Sequence, residues 1–222
     1  RPTFFKRKFT WVACTKLGTM EHLNENRETQ ETWNSSAKLY QEKFMDLTIY
    51  DDSYFLFCQQ FSQKNPSILE VGCGPGNVTK TLKNLRDDFE ITAFDYAPNM
   101  IELAQMNVPN CKFEVKDVRK IAEFKPYFDG IISGFCLPYL NPKEFSHFLK
   151  DAHNLLQSNG WLYFSLVEAK ENKSTMLTGS HGLRTKFFHY SREWVNVELV
   201  QSGFVVGEIL EVSDQVPPLN FI

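Results

Sequence analysis

The sequence lacks several features that would assign a chain to particular classes of protein. Its five cysteines are an odd number, and no two of them have C-x-x-C spacing. Neither a disulfide framework nor a zinc site is therefore expected, and we predict no metal. No apolar run approaches the length of a membrane-spanning helix. These absences favour a reduced, cytoplasmic compartment and disfavour a membrane partner.

Positive charge is scarce beyond the first residues of the chain. Residues 1–19 carry five basic side chains and no acid, whereas acids outnumber bases in the remainder. An acidic body disfavours a nucleic-acid partner, because nucleic-acid binding needs clustered positive charge. We interpret residues 1–19 as a basic extension outside the domain. Residues 20–222 are then long enough for one globular domain, which we expect to be a monomer or homodimer.

The apolar pattern alternates between strands and helices along most of the chain. Two helices are predicted between residues 20 and 65, and Asn141, Pro142 and Glu144 predict a capped helix further on. This order predicts an α/β fold of the three-layer, doubly wound type, with helices on both faces of a mostly parallel sheet of six or seven strands. The predicted strands are Ser67–Val71, Glu90–Asp95, 112–117, Phe128–Ser133, 160–167 and 204–212, with a short one at 187–190.

These elements divide the expected domain into four parts. Residues 20–65 form the N-terminal helices, and residues 66–167 form a cofactor-binding core. Residues 168–190 have weak periodicity and are interpreted as a loop that covers the substrate. Residues 191–222 form the last helix and strand.

A glycine-rich turn joins the first predicted strand to the next helix, in the stretch "SILEVGCGPGNVTKTL". A triphosphate-binding loop would need a Gly-Lys pair, and the chain has none. The dinucleotide pattern G-x-G-x-x-G also fails, because its third glycine falls on Asn77 when counted from Gly72 and on Thr79 when counted from Gly74. The loop therefore indicates a ligand other than a triphosphate or a dinucleotide.

The glycines alternate, and an acid precedes them. Gly72, Gly74 and Gly76 allow the backbone to approach a bulky ligand closely. Glu70 ends the strand, and an acid there suits a ligand that carries a cation better than one that carries a pyrophosphate. A second acid, Asp95, ends the next strand, where a carboxylate can accept hydrogen bonds from both ribose hydroxyls.

The stretch "LEVGCGPGNVT" closely resembles motif I of the class I S-adenosylmethionine-dependent methyltransferases. The order of elements from about residue 33 to residue 212 is similar to that of the same family. The resemblance implies methyl transfer from S-adenosylmethionine, with the site at the carboxyl ends of the strands. The family usually adds a last antiparallel strand, for which too few residues follow position 212.

The resemblance also implies roles for individual residues. Asp117 lies where the family places a polar side chain near the adenine amino group, and Met100 and Val118 are expected on the two faces of the ring. Ser133 and Gly134 lie where backbone carbonyls approach the methionine ammonium group. The expected cofactor-binding residues are Tyr40, Glu70, Gly72, Gly74, Gly76, Asp95, Tyr96, Met100, Asp117, Val118, Ser133 and Gly134.

The acceptor side is described less fully by the sequence. "SGFCLPYL" lacks the Asp/Asn-Pro-Pro-aromatic box of family members that methylate the exocyclic amines of bases, so a small-molecule acceptor is expected. His181, Arg184, Lys186 and His189 concentrate basic groups in the expected loop. We hypothesise that some of them face an anionic substrate, with His181 or His189 as a candidate catalytic base. The alternative is a solvated loop.

Other functions remain open from the sequence. A module that binds S-adenosylmethionine or S-adenosylhomocysteine without chemistry would carry the same cofactor residues. A methyltransferase acting on a macromolecule and a nicotinamide-dependent reductase are less favoured alternatives. The absent third glycine disfavours the reductase.

Overall fold

A computed structural model of the chain describes residues 12–125, 127–178, 182 and 184–212, with side chains described from residue 25 onward. The elements are α1 (Val12–Phe44), α2 (Asp51–Gln59), β1 (Ser67–Val71), α3 (Asn77–Leu85), β2 (Glu90–Asp95), α4 (Pro98–Asn107), β3 (Lys112–Val115), a 3₁₀ helix (Val118–Glu123), β4 (Phe128–Ser133), a 3₁₀ helix (Leu137–Tyr139), α5 (Pro142–Leu155), β5 (Leu156–Phe164), β6 (Lys173–Thr178), β7 (Arg184–His189) and α6 (Arg192–Gln201).

The main sheet is parallel and has its strands in the order β3-β2-β1-β4-β5. The strand order reverses at β1, which pairs with β2 on one side and β4 on the other. In open α/β sheets, ligands bind beyond the carboxyl ends of the strands at this reversal. The topology therefore directs the loops after β1, β2 and β4 toward one crevice.

Both faces of the sheet are apolar, because successive strand residues point to opposite sides. Leu69 and Ile131 pack with α5 on one face. Ile68 and Ile132 pack with α2, α3 and α4 on the other. The three-layer α/β architecture predicted from the sequence is confirmed.

Helix α5 begins as its sequence predicts. The Asn141 side chain accepts a hydrogen bond from the backbone N–H of Glu144 (3.0 Å), and the Glu144 carboxylate accepts one from the backbone N–H of Asn141 (2.9 Å). Pro142 occupies the first turn, where its missing N–H leaves no hydrogen bond unmade. This capping box fixes the start of the helix that covers one face of the sheet.

The strand count is lower than predicted. The sheet has five strands in the described residues, and the prediction of a strand at 204–212 is wrong. This segment makes no ladder, and Val205 is 94% exposed. The strand predicted at 160–167 begins earlier, at Leu156, because a register shift opposite Phe128 and Gly130 accommodates the Ser-Asn-Gly sequence.

The predicted loop at 168–190 contains an antiparallel pair of strands, β6 and β7. Residues 179–181 and 183 lie outside the described residues, and so do residues 1–11 and 213–222. Helix α1 begins at Val12, inside the predicted basic extension, and continues without a break to Phe44. The division of the chain at residue 20 stays a prediction. None of the described helices combines the length and apolarity that a membrane span requires.

Candidate cofactor and acceptor cavity

A cavity lies at the carboxyl ends of β1, β2, β3 and β4, beneath α1. Of the residues predicted to bind cofactor, nine line this cavity and three do not. The nine are Tyr40, Gly72, Gly74, Asp95, Tyr96, Met100, Asp117, Val118 and Gly134; the three are Glu70, Gly76 and Ser133.

The glycine loop has a backbone that only glycine adopts easily at two cavity positions. Gly72 has φ +68°, and a Cβ there would lie 2.5 Å from the Cβ of Cys136. Gly74 has φ +53°, and a Cβ there would lie 3.6 Å from the Tyr40 ring. Positive φ strains residues with a side chain. Both glycines thus keep the loop close to neighbouring walls of the cavity.

Gly76 has a different position from the one expected. It precedes the first residue of α3 with φ +86°, and a Cβ there would lie 3.3 Å from the Cα of Ala104 in α4. Its missing side chain therefore allows α3 to start close to α4. The residue does not line the cavity.

Asp95 ties the glycine loop to the end of β2. One carboxylate oxygen accepts a hydrogen bond from the Gly74 N–H (2.9 Å), and the other accepts one from the Ala97 N–H (2.8 Å). Burial raises the pKa of Asp95 from its usual value, although these N–H donors oppose that effect. Since a carboxylate has about four acceptor positions, Asp95 retains capacity to accept a hydrogen bond from a ligand hydroxyl.

Asp117 caps the 3₁₀ helix that follows β3 and also lines the cavity. One of its oxygens accepts from the backbone N–H (3.0 Å) and the guanidinium (2.8 Å) of Arg119. Arg119 also donates to Glu144 (2.7 Å) and to Asn26 of α1 (2.6 Å). This network fixes the Asp117 carboxylate, with the buried Met100 and Val118 nearby in the cavity wall.

Glu70 lies behind the loop. Its side chain is 1% exposed, and one oxygen accepts a hydrogen bond from the Thr79 hydroxyl (2.5 Å). The other oxygen has no hydrogen-bond partner in the described part of the chain. Burial raises the pKa of Glu70 from 4.5 to about 8, and the Thr79 hydrogen bond opposes this rise.

The chain turns sharply after β4. The carbonyl of Ser133 accepts from the backbone N–H of Ser165 (3.1 Å), so this carbonyl belongs to the sheet. Gly134 follows and lines the cavity beside Val78 and Tyr54. Phe135 then has φ +57°, a costly conformation for a bulky residue, and its N–H donates to the Ser165 hydroxyl (2.9 Å).

Helix α1 forms the roof of the cavity. Gln30 donates to the carbonyl of Tyr96 (2.8 Å), and Asn34 accepts from the backbone N–H of Asn99 (2.8 Å). Trp33 packs edge-on against both Tyr40 and Tyr139, with ring centroids 5.6 and 5.4 Å apart. The roof therefore closes over the ends of β2 and β4 through aromatic contacts and a few hydrogen bonds.

The rest of the cavity wall, near the end of β4, is aromatic and aliphatic, and sequence reasoning missed it. Tyr50 packs against Phe135 with ring centroids 5.2 Å apart. We call this part the acceptor wall; its members are Phe44, Leu47, Tyr50, Tyr54, Phe135, Cys136, Tyr139 and Leu140. The pattern of these residues indicates only packing, since they come from two distant stretches of the chain, 44–54 and 135–140, that meet in the fold.

The basic residues expected to face a substrate lie elsewhere. Arg184 pairs with Glu28 of α1 (3.0 Å), and Lys186 pairs with Glu25 (3.1 Å). The His189 ring lies 3.2 Å from the Thr175 hydroxyl, and burial lowers its pKa. None of these three residues lines the cavity. His181 lies outside the described residues. The described residues contain no cluster of His, Cys, Asp and Glu that could hold a metal ion.

The chain is similar to known methyltransferases in sequence. Residues 68–160 match a family model described as "Methyltransferase domain". The malonyl-[acyl-carrier protein] O-methyltransferase of Bacillus anthracis is 36% identical over 151 residues, which cover 62% of this chain and 55% of the relative. The trans-aconitate 2-methyltransferase of Enterobacter sp. (strain 638) is 34% identical over 112 residues, 50% of this chain and 42% of the relative. The chain thus spans about half the length of these curated relatives.

Solved structures with the same fold cover most of the chain. A complex titled "DhpI-SAM-HEP complex" has a TM-score of 0.64 at 17% identity and covers 81% of this chain and 89% of its own. The Burkholderia thailandensis 1,6-didemethyltoxoflavin-N1-methyltransferase, with its substrate and S-adenosylhomocysteine bound, has a TM-score of 0.60 at 17% identity. It covers 88% of this chain and 81% of its own. At these identities the likeness concerns the fold.

Proposed function

We propose that the chain is a class I S-adenosylmethionine-dependent methyltransferase that transfers the methyl group of S-adenosylmethionine to a small-molecule acceptor. The observation that carries the proposal is the glycine loop held to Asp95 at the strand-order reversal. The names of the curated relatives, which act on malonyl-[acyl-carrier protein] and trans-aconitate, support an acceptor that is a small molecule or is carried by a protein.

The cavity residues fit the two ends of this cofactor. The Asp95 carboxylate would accept hydrogen bonds from the ribose hydroxyls. Asp117, which is held by Arg119, would accept from the adenine amino group, and Met100 and Val118 would provide apolar contact to the ring. Gly72, Gly74 and Gly134 leave room for the methionine part.

S-adenosylmethionine supplies a methyl group already activated on a sulfonium. The chain's residues need only hold the acceptor in line with the S–CH₃ bond and exclude water. Alignment of this kind can lower the barrier by about 7–11 kcal/mol in favourable cases. The roof residues Trp33 and Tyr40 cover the cavity, and the acceptor wall leaves little polar surface for water.

The surplus of acidic residues supports an enzyme that works without nucleic acid as a partner. The cysteine pattern supports a cytoplasmic compartment, and we propose a monomer or homodimer that needs no membrane. Gel filtration with light scattering would determine the oligomeric state.

Calorimetric titration tests the cofactor proposal. We expect the chain to bind S-adenosylmethionine and S-adenosylhomocysteine but not NADH. Asp95→Ala should weaken binding of both ligands by more than about tenfold, because it removes hydrogen bonds to the ribose and releases the loop. The matched control is Asp87→Ala, an exposed acid away from the cavity. Unchanged affinity in a folded Asp95→Ala variant would contradict the ribose assignment, and binding of NADH alone would contradict the proposed function.

A further inference from the structure

The acceptor wall contains hydroxyl groups but no proton acceptor suited to neutral pH. Tyr50, Tyr54 and Cys136 belong to this wall, and they carry two hydroxyls and a thiol. Burial raises the pKa of Tyr50 to about 12, and it raises those of Tyr54 and Cys136 as well. All three groups therefore carry their protons at neutral pH and act as donors.

The charged groups elsewhere in the cavity are already paired. Lys116 lies 3.0 Å from Glu123, and Arg119 bridges Asp117 and Glu144. Both oxygens of Asp95 accept backbone hydrogen bonds, and the proposed function assigns their remaining acceptor capacity to the ribose hydroxyls. Among the described lining residues there is no histidine. An alcohol or a protonated amine bound at the acceptor wall would thus find no described group placed to take its proton.

One donor in this wall lacks a partner. The Tyr50 hydroxyl is buried, and no described residue hydrogen-bonds to it. Tyr54 also borders the cavity, since a Cβ added at Gly134 would be 3.7 Å from its hydroxyl oxygen. Burial is the main cause of its raised pKa, and the nearby Tyr50 adds to that rise. A buried polar group without a partner destabilises the fold unless a ligand or water satisfies it. Two neighbouring donors suit an oxyanion.

We propose that the methyl acceptor is a carboxylate on an apolar molecule, held by the hydroxyls of Tyr50 and Tyr54. The inference rests on the proposed methyl transfer and deepens it. A carboxylate is already ionised at neutral pH, so it needs no base.

The reaction balances without a proton transfer. A carboxylate oxygen forms a bond to the methyl carbon, the bond between that carbon and sulfur breaks, and its electron pair goes to sulfur. The products are a neutral methyl ester and a neutral thioether. Opposite charges cancel as the reaction proceeds, so an apolar wall that solvates charge poorly favours the transition state over the bound reactants.

The sulfonium also supplies the positive charge that the wall lacks. A buried anion without a compensating cation would bind poorly. With S-adenosylmethionine in place, the carboxylate meets a cation at the reacting atom itself. This pairing explains how a wall without a free basic side chain among its described residues can hold an acid.

A panel of matched acceptors tests the inference. Aliphatic and aryl carboxylic acids, each beside the corresponding primary alcohol and amine, are incubated with methyl-labelled S-adenosylmethionine. Mild alkali then releases labelled methanol from methyl esters, but not from ethers or N-methyl amines. We expect alkali-labile label from one or more of the acids and none from the matched alcohols and amines.

The other outcomes distinguish failure of the carboxylate inference from failure of the proposed function. Label in base-stable products would overturn the carboxylate inference and leave methyl transfer intact. Cofactor binding without ester formation from any acid would also overturn it. Failure to bind the cofactor would instead overturn the proposed function.

A substitution separates hydrogen bonding from packing at the same site. Tyr50→Phe keeps the ring against Phe135 and removes the hydroxyl. We expect it to raise KM for the acid about tenfold and to leave cofactor affinity unchanged. Tyr127→Phe is the matched control, because Tyr127 is 60% exposed and does not line the cavity. An unchanged KM in Tyr50→Phe would refute the role of its hydroxyl.

Discussion

Substitution of Glu70 by glutamine should change how stability depends on pH. In the folded chain the pKa of Glu70 is raised to about 8 by burial, whereas its ordinary value is 4.5. Between these values the folded state holds a proton that the unfolded state has lost. The free energy of unfolding therefore falls as pH rises through this window. Glutamine has nearly the same shape and does not titrate, so Glu70→Gln should lack this contribution.

The size of the effect follows from linkage. Each pH unit between the two pKa values changes the free energy of unfolding by about 1.4 kcal/mol. Between about pH 5 and pH 8, wild type should lose about 3 kcal/mol relative to Glu70→Gln. The Thr79 hydroxyl can still hydrogen-bond to the amide, so packing around the loop stays comparable.

Urea unfolding across this pH range measures the difference. Glu90→Gln is the matched control, because Glu90 is exposed at the start of β2 and should retain the wild-type profile. If the free energy of unfolding changed with pH in the same way for wild type and Glu70→Gln, the reasoning would be refuted. That result would mean that Glu70 has the same pKa in the folded and unfolded states. A variant that loses stability more steeply than wild type above about pH 6 would refute it too.

Two further predictions concern the loop and the roof. Gly72→Ala should destabilise the fold by at least about 2 kcal/mol more than Gly182→Ala. Both positions have positive φ, but only at Gly72 would an added Cβ contact Cys136. Equal losses of stability for the two variants in urea unfolding would contradict this steric argument. Gln30→Ala should speed release of S-adenosylhomocysteine about threefold to tenfold, since it removes a hydrogen bond between the roof and the Tyr96 carbonyl. Stopped-flow displacement measures the release rate. An unchanged release rate would mean that this hydrogen bond does not hold the roof in place.

Local sequence patterns predicted that the glycine loop and Asp95 lie together at the carboxyl ends of the strands. The strand–turn–helix order around Gly72 and Gly74, and the acid at the end of β2, are encoded within short stretches. Asp95 was therefore identified from its position along the chain, and it lines the cavity. Gly76 has the same local signal, but its actual neighbour is Ala104, a residue brought beside it only by the packing of α4.

The acceptor wall could not be predicted in the same way. Tyr50 lies in the turn before α2 and Tyr54 lies in α2, whereas Phe135 and Tyr139 follow β4. Each looks like an ordinary core residue in its own stretch, and only the tertiary fold brings them together. The positive charge of residues 168–190 suggested contact with a ligand, whereas Arg184 and Lys186 pair with acids of α1.

The two errors in strand assignment also have a physical origin. A strand needs a neighbouring strand as well as suitable residues. The segment 204–212 is rich in valine and isoleucine but has no partner in the described residues. Strand β6 is mostly exposed and shows no clear alternation, yet it forms because β7 pairs with it.

The bond between Asp95 and the glycine loop has a consequence for how a ligand is received. The loop is already held at Gly74 before any ligand arrives. Its conformational entropy is therefore lost when the chain folds and not when the ligand binds. Association should therefore involve little rearrangement of the loop, and the slow step of entry becomes the displacement of α1. On this view the floor of the cavity determines how tightly a nucleoside is held, while its roof determines how fast it comes and goes.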